Sequence, residues 1–159
     1  MPIQTTSNVC ETRTALTFGV PDGSQILIVC EDSIAEPLKA VLRKAGIAFK
    51  TANSMTAGCE LARSGRFQVV VSAPLLSDGS WRRLTDIANH CDLGFEVVLL
   101  ARRFDLAEWA EALKDGAFDV LDALSDVPRA AEVLKRALWA AYLRGAGPHP
   151  DVASSRRVA

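Results

Sequence analysis

Carboxylates follow two of the short apolar runs in this sequence. Glu31 and Asp32 come directly after one run, and carboxylate oxygens are the ligands that Mg²⁺ and Ca²⁺ prefer. The same two residues would serve equally as helix caps or as solvated loop charges. Asp78 follows a second run and could accept a phosphoryl group, although aspartate before Gly79 is above all typical of a turn. The acidic residues therefore suggest a site without fixing its chemistry.

Two basic residues, Arg102 and Arg103, follow a further apolar run. Guanidinium groups bind carboxylates and phosphates through paired hydrogen bonds, so this pair could hold an anion or an acidic partner. A solvated pair of loop charges is the alternative interpretation.

Thiol and imidazole groups are too scattered to predict a metal site. The chain contains Cys10, Cys30, Cys59, Cys91, His90 and His149. No Cys-x-x-Cys pair is present, so we interpret the cysteines as small buried or half-buried thiols. Neither a nucleophile–base pair nor a glycine-rich phosphate loop is visible. We therefore expect no cofactor, no metal and no enzymatic activity.

Composition favours one globular domain. Of 159 residues, 49% are hydrophobic, which is enough for a proper core. The net charge of −1 argues against a general nucleic-acid-binding surface. The longest apolar runs, such as residues 97–101, are far below the ~20 residues that span a bilayer. The first residues do not resemble a secretory signal, so we expect a cytoplasmic protein that contacts neither nucleic acid nor membrane.

Hydrophobic periodicity predicts five strands that alternate with helices. The predicted strands are residues 25–30, 48–52, 67–72, 96–100 and 119–121. Asp32 or Ser33, Ser54, Asp105 and Asp126 are expected to cap helices, and Gly46, Gly65 and Gly116 to end them. The expected inner faces are Leu38, Val41, Leu42 and Ala45; Ala57, Leu61 and Ala62; Trp81, Leu84, Ile87 and Ala88; Leu106, Trp109, Ala110 and Leu113; and Ala131, Leu134 and Leu138.

The alternating order predicts an α/β fold of the (βα)₅ type, with a doubly wound, parallel, flavodoxin-like sheet in the strand order 2-1-3-4-5. We assign residues 25–143 to this domain. Residues 1–24 form an extension with a possible short strand through Leu16, Phe18 and Val20, and the composition of residues 144–159 predicts a disordered tail. In such sheets a functional site lies beyond the carboxyl ends of the strands.

Over about residues 25–142 the chain resembles the receiver domains of bacterial response regulators, the CheY-like fold. Three segments carry the resemblance: ILIVCED at 26–32, FQVVVSAPLLSDG at 67–79 and KDGAFDVL at 114–121. The resemblance implies a place in two-component signal transduction and phosphorelay. It also implies a partner protein, such as a histidine kinase or another regulator, and possible homodimerisation.

The residues that receivers use for phosphorylation are replaced in this chain. The matching positions form a degenerate phosphorylation site: Cys30, Glu31, Asp32, Ala73, Ala101 and Ala123. The acidic pair that holds Mg²⁺ corresponds to the first two of these or, with a register slip of one, to the second and third. The phosphate-accepting aspartate corresponds to Ala73, the threonine or serine to Ala101, and the lysine of the Lys-Pro pair to Ala123. An alanine methyl has no lone pair with which to attack phosphorus.

The resemblance also implies an output face on the fourth helix, fifth strand and fifth helix. We expect Trp109, Val120 and Leu138 to contribute to it, with Val120 in place of the family's aromatic switch residue. The three tryptophans fall on helix stripes and are expected to be mostly core, so one left partly exposed would mark an interface. We therefore predict a non-catalytic pseudo-receiver that acts through protein–protein contact. The alternative is a small-ligand or anion sensor that uses the emptied crevice near Cys30, Ala73 and Arg102.

Overall fold

The computed structural model describes residues 20–103 and 105–146. The strand expected through Leu16 and Phe18, most of the N-terminal extension, and the tail from residue 147 onward lie outside the described residues. Within the described residues, no helix has the length and apolar character needed to cross a lipid bilayer.

The described residues form seven strands and five helices. The strands are β1 (Gln25–Val29), β2 (Ala48–Ala52), β3 (Val69–Ser72), β4 (Leu75–Leu76), β5 (Gly79–Ser80), β6 (Glu96–Ala101) and β7 (Asp119–Asp122). The helices are α1 (Asp32–Ala45), α2 (Met55–Ala62), α3 (Arg82–His90), α4 (Leu106–Lys114) and α5 (Val127–Ala141). A wider turn, Tyr142–Ala146, follows α5.

Five of the strands form one parallel sheet in the order β2-β1-β3-β6-β7. This arrangement confirms the predicted doubly wound topology. The two-residue strands β4 and β5 lie outside this sheet and form a separate antiparallel ribbon in the loop after β3. The predicted bounds of the five sheet strands differ from the observed ones by at most two residues.

Helices cover both faces of the sheet. The apolar cluster on one face joins α1 and α5, whereas the cluster on the other joins α2, α3 and α4. Alternate residues of β1 enter the two clusters, Ile26 and Ile28 on one face and Leu27 and Val29 on the other. A strand buried on both faces needs a nearly continuous apolar sequence, and for this reason the sequence of β1 predicted a strand.

The cap of α1 and the buried faces of α1 and α2 differ from the prediction. The residue before α1 is Glu31, so Asp32 is the first helical residue instead of the cap. In α1 the buried stripe includes Ala35 and Lys39, while Ala45 is exposed. The buried residues of α2 are Met55, Gly58, Cys59 and Ala62, while Ala57 is exposed. The apolar character of the residues does not by itself determine which face of a helix is buried. Alanine is tolerated on either face, and a glycine can lie at a close contact with a neighbouring strand.

Helix α4 departs furthest from the expected inner face. Its only buried residue is Ala112, and Leu106, Trp109 and Ala110 are all exposed. The start of α4 is fixed by a capping box, in which Asp105 and Glu108 each accept a hydrogen bond from the other's backbone N–H. The small methyl group of Ala112 makes the buried contact, so the larger apolar side chains remain outside.

Arg144 belongs to the folded domain, although the sequence assigned it to the tail. Its guanidinium donates to the Gly94 carbonyl oxygen at 2.9 Å and lies 3.1 Å from a carboxylate oxygen of Glu96. Burial raises the pKa of Glu96, and the nearby guanidinium opposes that shift. The contact ties the turn after α5 to the beginning of β6.

We expect Gly58→Ala to destabilise the domain, because α2 approaches β1 closely at Gly58. A Cβ added there would lie 2.6 and 2.8 Å from the two γ-methyl groups of Val29. We expect a loss of about 1–3 kcal/mol from overpacking, despite a helix-propensity gain of up to about 1 kcal/mol. Urea unfolding measures the loss. The same substitution in a Val29→Ala background should cost much less, and equal stability of Gly58→Ala and wild type would contradict this packing account.

Candidate functional site

The ends of the sheet strands meet at one edge, as the sequence predicted. The backbone N–H of Ala73 donates to the Val29 carbonyl oxygen at 2.9 Å, and that of Ala123 donates to the Ala101 carbonyl oxygen at 2.7 Å. Cys30 follows Val29 directly. The structure therefore brings together the alanines and the thiol that the sequence assigned to one degenerate site.

The side chains at the centre of this edge belong to the apolar core. Cys30 is 2% exposed and Ala73 is 6% exposed, and both lie in the cluster between the sheet and the α1–α5 layer. Ile34, Leu76 and Ala123 pack against the same cluster. Burial raises the pKa of the Cys30 thiol to about 11, so the thiol is neutral at pH 7. The crevice thus presents methyl and neutral thiol groups at the end of β1 and β3.

Glu31 and Asp32, the two acidic residues after Cys30, are exposed, and Asp32 forms an ion pair. Asp32 lies with a carboxylate oxygen 3.5 Å from the Nζ atom of Lys39, which donates to Glu36 at 3.0 Å. The Lys39 side chain is largely buried, and its hydrogen bond to Glu36 raises its pKa. The sequence analysis missed Lys39. Its spacing of three residues from Glu36 and seven from Asp32 on a helix was the available signal.

These residues do not fit the magnesium site of a receiver. Mg²⁺ requires several hard oxygen ligands in near-octahedral geometry. Cys30 offers a neutral buried sulfur, Ala73 offers no donor, and the Asp32 carboxylate is already balanced by an ammonium group. Within residues 20–103 and 105–146, no group of three or more histidine, cysteine or acidic side chains is placed to share a metal ion.

The loop between β7 and α5 is organised by carboxylates. Asp122 accepts hydrogen bonds from the backbone N–H groups of Leu124 and Ser125 at 2.7 and 3.2 Å. Asp126 accepts from the Asp122 N–H at 2.8 Å and lies 3.2 Å from Nε of Arg129. The hydrogen bond from Asp122 lowers the pKa of Asp126. Asp126 is at the N-cap position as predicted, but its side chain does not cap the helix backbone.

Asp78 serves as a second cap for α2. Its two carboxylate oxygens accept from the backbone N–H groups of Met55 and Thr56, each at 2.8 Å. Ser54, the predicted cap, accepts from the Ala57 N–H at 3.0 Å. The bonds from Thr56 and Met55 hold the pKa of Asp78 at about 2. Both oxygens that would be needed for phosphoryl acceptance are therefore committed to the helix terminus.

Arg102 and Arg103 are exposed at the end of β6. Neither side chain forms a hydrogen bond or an ion pair with another residue of the described structure. They directly follow β6, and anion binding by them stays a prediction.

A groove of about 360 Å³ lies between α4, β7 and the start of α5, and we call it the α4–α5 groove. Its lining residues are Asp105, Leu106, Trp109, Val120, Asp122, Ser125, Asp126 and Arg129. Leu106 is 78% exposed and Trp109 is 39% exposed, whereas the burial of Val120 places it at the base of the groove. The inclusion of Leu138 in an output face was wrong. It lies on the inner stripe of α5 and is 0% exposed, so no partner can reach it.

The structure is similar to solved receiver domains. That of a Pseudomonas fluorescens Pf-5 HD domain-containing protein matches with a TM-score of 0.67 and 23% identity over 79% of this chain and 93% of that one. A receiver domain protein from Clostridium thermocellum matches with a TM-score of 0.66 and 22% identity over 76% of this chain and 98% of that one. Chemotaxis protein CheY4 of Vibrio cholerae matches with a TM-score of 0.62 and 20% identity over 72% of this chain and 98% of that one. No family profile and no curated protein matches the sequence. The chain therefore has the receiver-domain fold.

We expect Asp78→Asn to reduce stability at pH 7, because an amide nitrogen cannot accept the second backbone hydrogen bond. The folded-state pKa of Asp78 is below its unfolded value, so the carboxylate stabilises the fold above pH ~4. That contribution is lost as the pH falls toward about 2. Urea midpoints of wild type and variant should therefore converge in acid. Asp86→Asn, at an exposed position of α3, is the matched control, and a pH-independent difference for Asp78→Asn would contradict the capping role.

Proposed function

We propose that this chain is a non-catalytic signalling domain that acts through protein–protein contact without aspartyl phosphorylation. The observation that carries the proposal is the buried methyl group of Ala73 at the end of β3, next to the neutral thiol of Cys30. The receiver-domain fold supports a role in signal transduction, with a histidine kinase or another regulator as the class of partner.

The proposal follows from what phosphoryl transfer to a side chain requires. The reaction needs a nucleophile, and a charged or metal-bound group must neutralise the transferred phosphoryl oxygens. Ala73 supplies no nucleophile, and Ala101 and Ala123 supply neither a hydroxyl nor an ammonium group at the neighbouring strand ends. Asp78, the nearby carboxylate, holds the terminus of α2. The nucleophile, the hydroxyl group and the ammonium group are thus all missing at the same edge.

A second candidate, an anion sensor, is favoured by one observation. Arg102 and Arg103 are exposed beside the crevice and form no bond with other described residues. A rise in melting temperature with inorganic phosphate that Arg102→Gln abolishes would support this function. The small exposed area of Cys30 and Ala73 makes it the weaker candidate, because a ligand would find little surface at the centre of the crevice.

Treatment with acetyl phosphate or beryllofluoride in the presence of Mg²⁺ tests the main proposal. We expect the intact mass to stay unchanged and the amide shifts of Cys30, Ala73 and Ala101 to stay where they are without the reagents. A receiver domain that retains its aspartate, treated in parallel, is the positive control. A stable adduct on any aspartate of this chain would overturn the proposal.

Ala73→Asp alone should leave the chain unphosphorylated, because Ala101 and Ala123 still offer no supporting group. The new carboxyl would be buried, and we expect a loss at pH 7 larger than the ~1–3 kcal/mol that an unsatisfied neutral polar group costs. Burial raises its folded-state pKa above the unfolded value, so stability should fall as pH rises from ~4.

Unfolding at several pH values, together with intact mass after acetyl phosphate treatment, checks both expectations. Ala57→Asp places the same side chain at an exposed position of α2 and is the control that should lack this pH dependence. Phosphorylation of Ala73→Asp would show that the surrounding residues are competent, against the reasoning above.

A further inference from the structure

We propose that a groove at the amino-terminal edge of the sheet binds an α-amino acid with an apolar side chain. The groove has a volume of about 310 Å³ and lies between α3, the start of β6 and the end of α4. We call it the α3–β6 groove, and the lining residues that carry the argument are Asn89, Leu93, Glu96, Asp115 and Arg144.

The α3–β6 groove is distinct from the degenerate phosphorylation site. Glu96 is the first residue of β6, whereas Ala73 follows the last residue of β3, and the two strands are parallel neighbours. The groove and the crevice therefore lie at opposite edges of the sheet. The inference goes beyond the proposed function and does not depend on it, because it concerns a small ligand at a surface without a role in phosphorylation.

A positive group at the groove can bind a ligand carboxylate. Nη2 of Arg144 lies 3.1 Å from a carboxylate oxygen of Glu96 and donates to the Gly94 carbonyl oxygen at 2.9 Å. The Arg144 side chain is nevertheless 55% exposed. A guanidinium carries five N–H donors in a planar fork, so the donors on Nε and Nη1 remain for a carboxylate. The side-chain amide of Asn89 forms no hydrogen bond with another described residue and offers a further donor.

Negative groups in the same groove favour an ammonium group. The side chain of Glu96 is 13% exposed, and Asp115 lines the groove while it pairs with Arg82. Helices α3 and α4 both end at the groove, and the carbonyl end of a helix carries a partial negative charge. Two carboxylates and one guanidinium in the lining give it a net charge of −1. An ammonium group therefore finds acceptors close to the cation that holds the carboxylate.

This charge pattern favours a dipolar ligand over an ion of one sign. A simple anion at Arg144 would lie beside Glu96, and a simple amine at Glu96 would lie beside Arg144. Each would be repelled by a neighbouring group of like charge. An α-amino acid carries an ammonium group and a carboxylate on the same carbon, so it can place an opposite charge next to each of the two side chains.

The remaining lining suits a small apolar side chain. Ala88 and Leu93 are half-buried and pack against the apolar cluster that contains Phe95 and Val97. A volume of about 310 Å³ is at the small end of ligand sites, which span roughly 300–1,000 Å³. An amino acid of the size of leucine matches both the volume and the apolar wall.

The loop before β6 holds this lining in place. The N–H of Leu93 donates to the Ala88 carbonyl oxygen at 2.8 Å. Asp92 has a φ of 54°, a left-handed conformation that is uncommon outside glycine. Such a conformation persists only where the surrounding contacts fix it, and it is frequent at ligand-binding sites. The loop presents the Gly94 carbonyl oxygen to Arg144 and so fixes the position of the guanidinium.

Titration of the ¹⁵N-labelled full chain with leucine tests the inference. We expect leucine to bind with a Kd of ~1 mM or tighter and to shift the amide signals of residues 88–97 and 115–116. Isoamylamine lacks the carboxylate of leucine, and isocaproate lacks its ammonium group. Each should bind about tenfold or more weakly than leucine, because one charged hydrogen-bonding group is left without a partner.

Arg144→Gln should weaken leucine binding about tenfold or more and bring the affinities for leucine and isoamylamine together, because the group that holds the carboxylate is lost. Asn89→Ala should weaken leucine binding about threefold or more. It should leave the fold intact, since the Asn89 side chain has no partner among the described residues. Arg136→Gln is the matched control, because Arg136 is an exposed arginine of α5 outside the groove, and its replacement should leave the affinity unchanged.

The absence of amide shifts with leucine up to ~10 mM, or equal affinity for leucine and either analogue, would overturn the inference. Unchanged leucine binding by Arg144→Gln or by Asn89→Ala would do the same. Shifts confined to residues 30, 73 and 102 would also overturn it, since leucine would then occupy the crevice at the other edge. None of these results bears on aspartyl phosphorylation, which the acetyl phosphate experiment tests separately.

Discussion

The burial of β1 and β3 from both faces is the constraint on which the rest of the structure depends. The register pairs Ile26 with Val69 and Val29 with Ser72, so the two central strands end at the same level. Residues 30 and 73 therefore meet in the core, where polar groups are costly without partners. The close packing of α2 on Val29, through a glycine, seals the opposite face of β1.

Asp78, which the sequence marked as a candidate for chemistry, stabilises the backbone, and so do two other carboxylates. Asp78 caps α2, Asp122 orders the loop before α5, and Asp126 holds the N–H of Asp122. Asp32 is balanced by the largely buried Lys39. Charged groups used in this way are already satisfied by partners within the domain.

Several parts of the fold and site could be predicted because they depend on local chemistry. Two-sided burial demands continuous apolar strands, so β1 and β3 were visible, and the capping residues Ser54 and Asp105 marked helix starts. The position of Ala73 at the end of β3 followed from the strand itself. The rotation of α4 did not, because its exposed leucine and tryptophan have the same apolar character as core residues. The sequence pattern correctly placed Leu138 on the inner face of α5, and only the family resemblance assigned it to an output face.

The amino-acid sequence by itself determined the alternation of strands and helices and the lack of a carboxylate at residue 73. The alternation follows from the hydrophobic pattern of neighbouring residues, and the lack of a carboxylate follows from the identity of one residue. Only the tertiary structure decided that Asp78 bonds to α2, that Lys39 pairs with Asp32, that Arg144 binds back to Gly94, and that three carboxylates line one groove with Trp109. The packing of the fold determines which partners a long side chain can reach. That packing depends on how elements that are distant in the sequence contact each other. The groove exists because α4 rests on the small side chain of Ala112, a contact that no local pattern specifies.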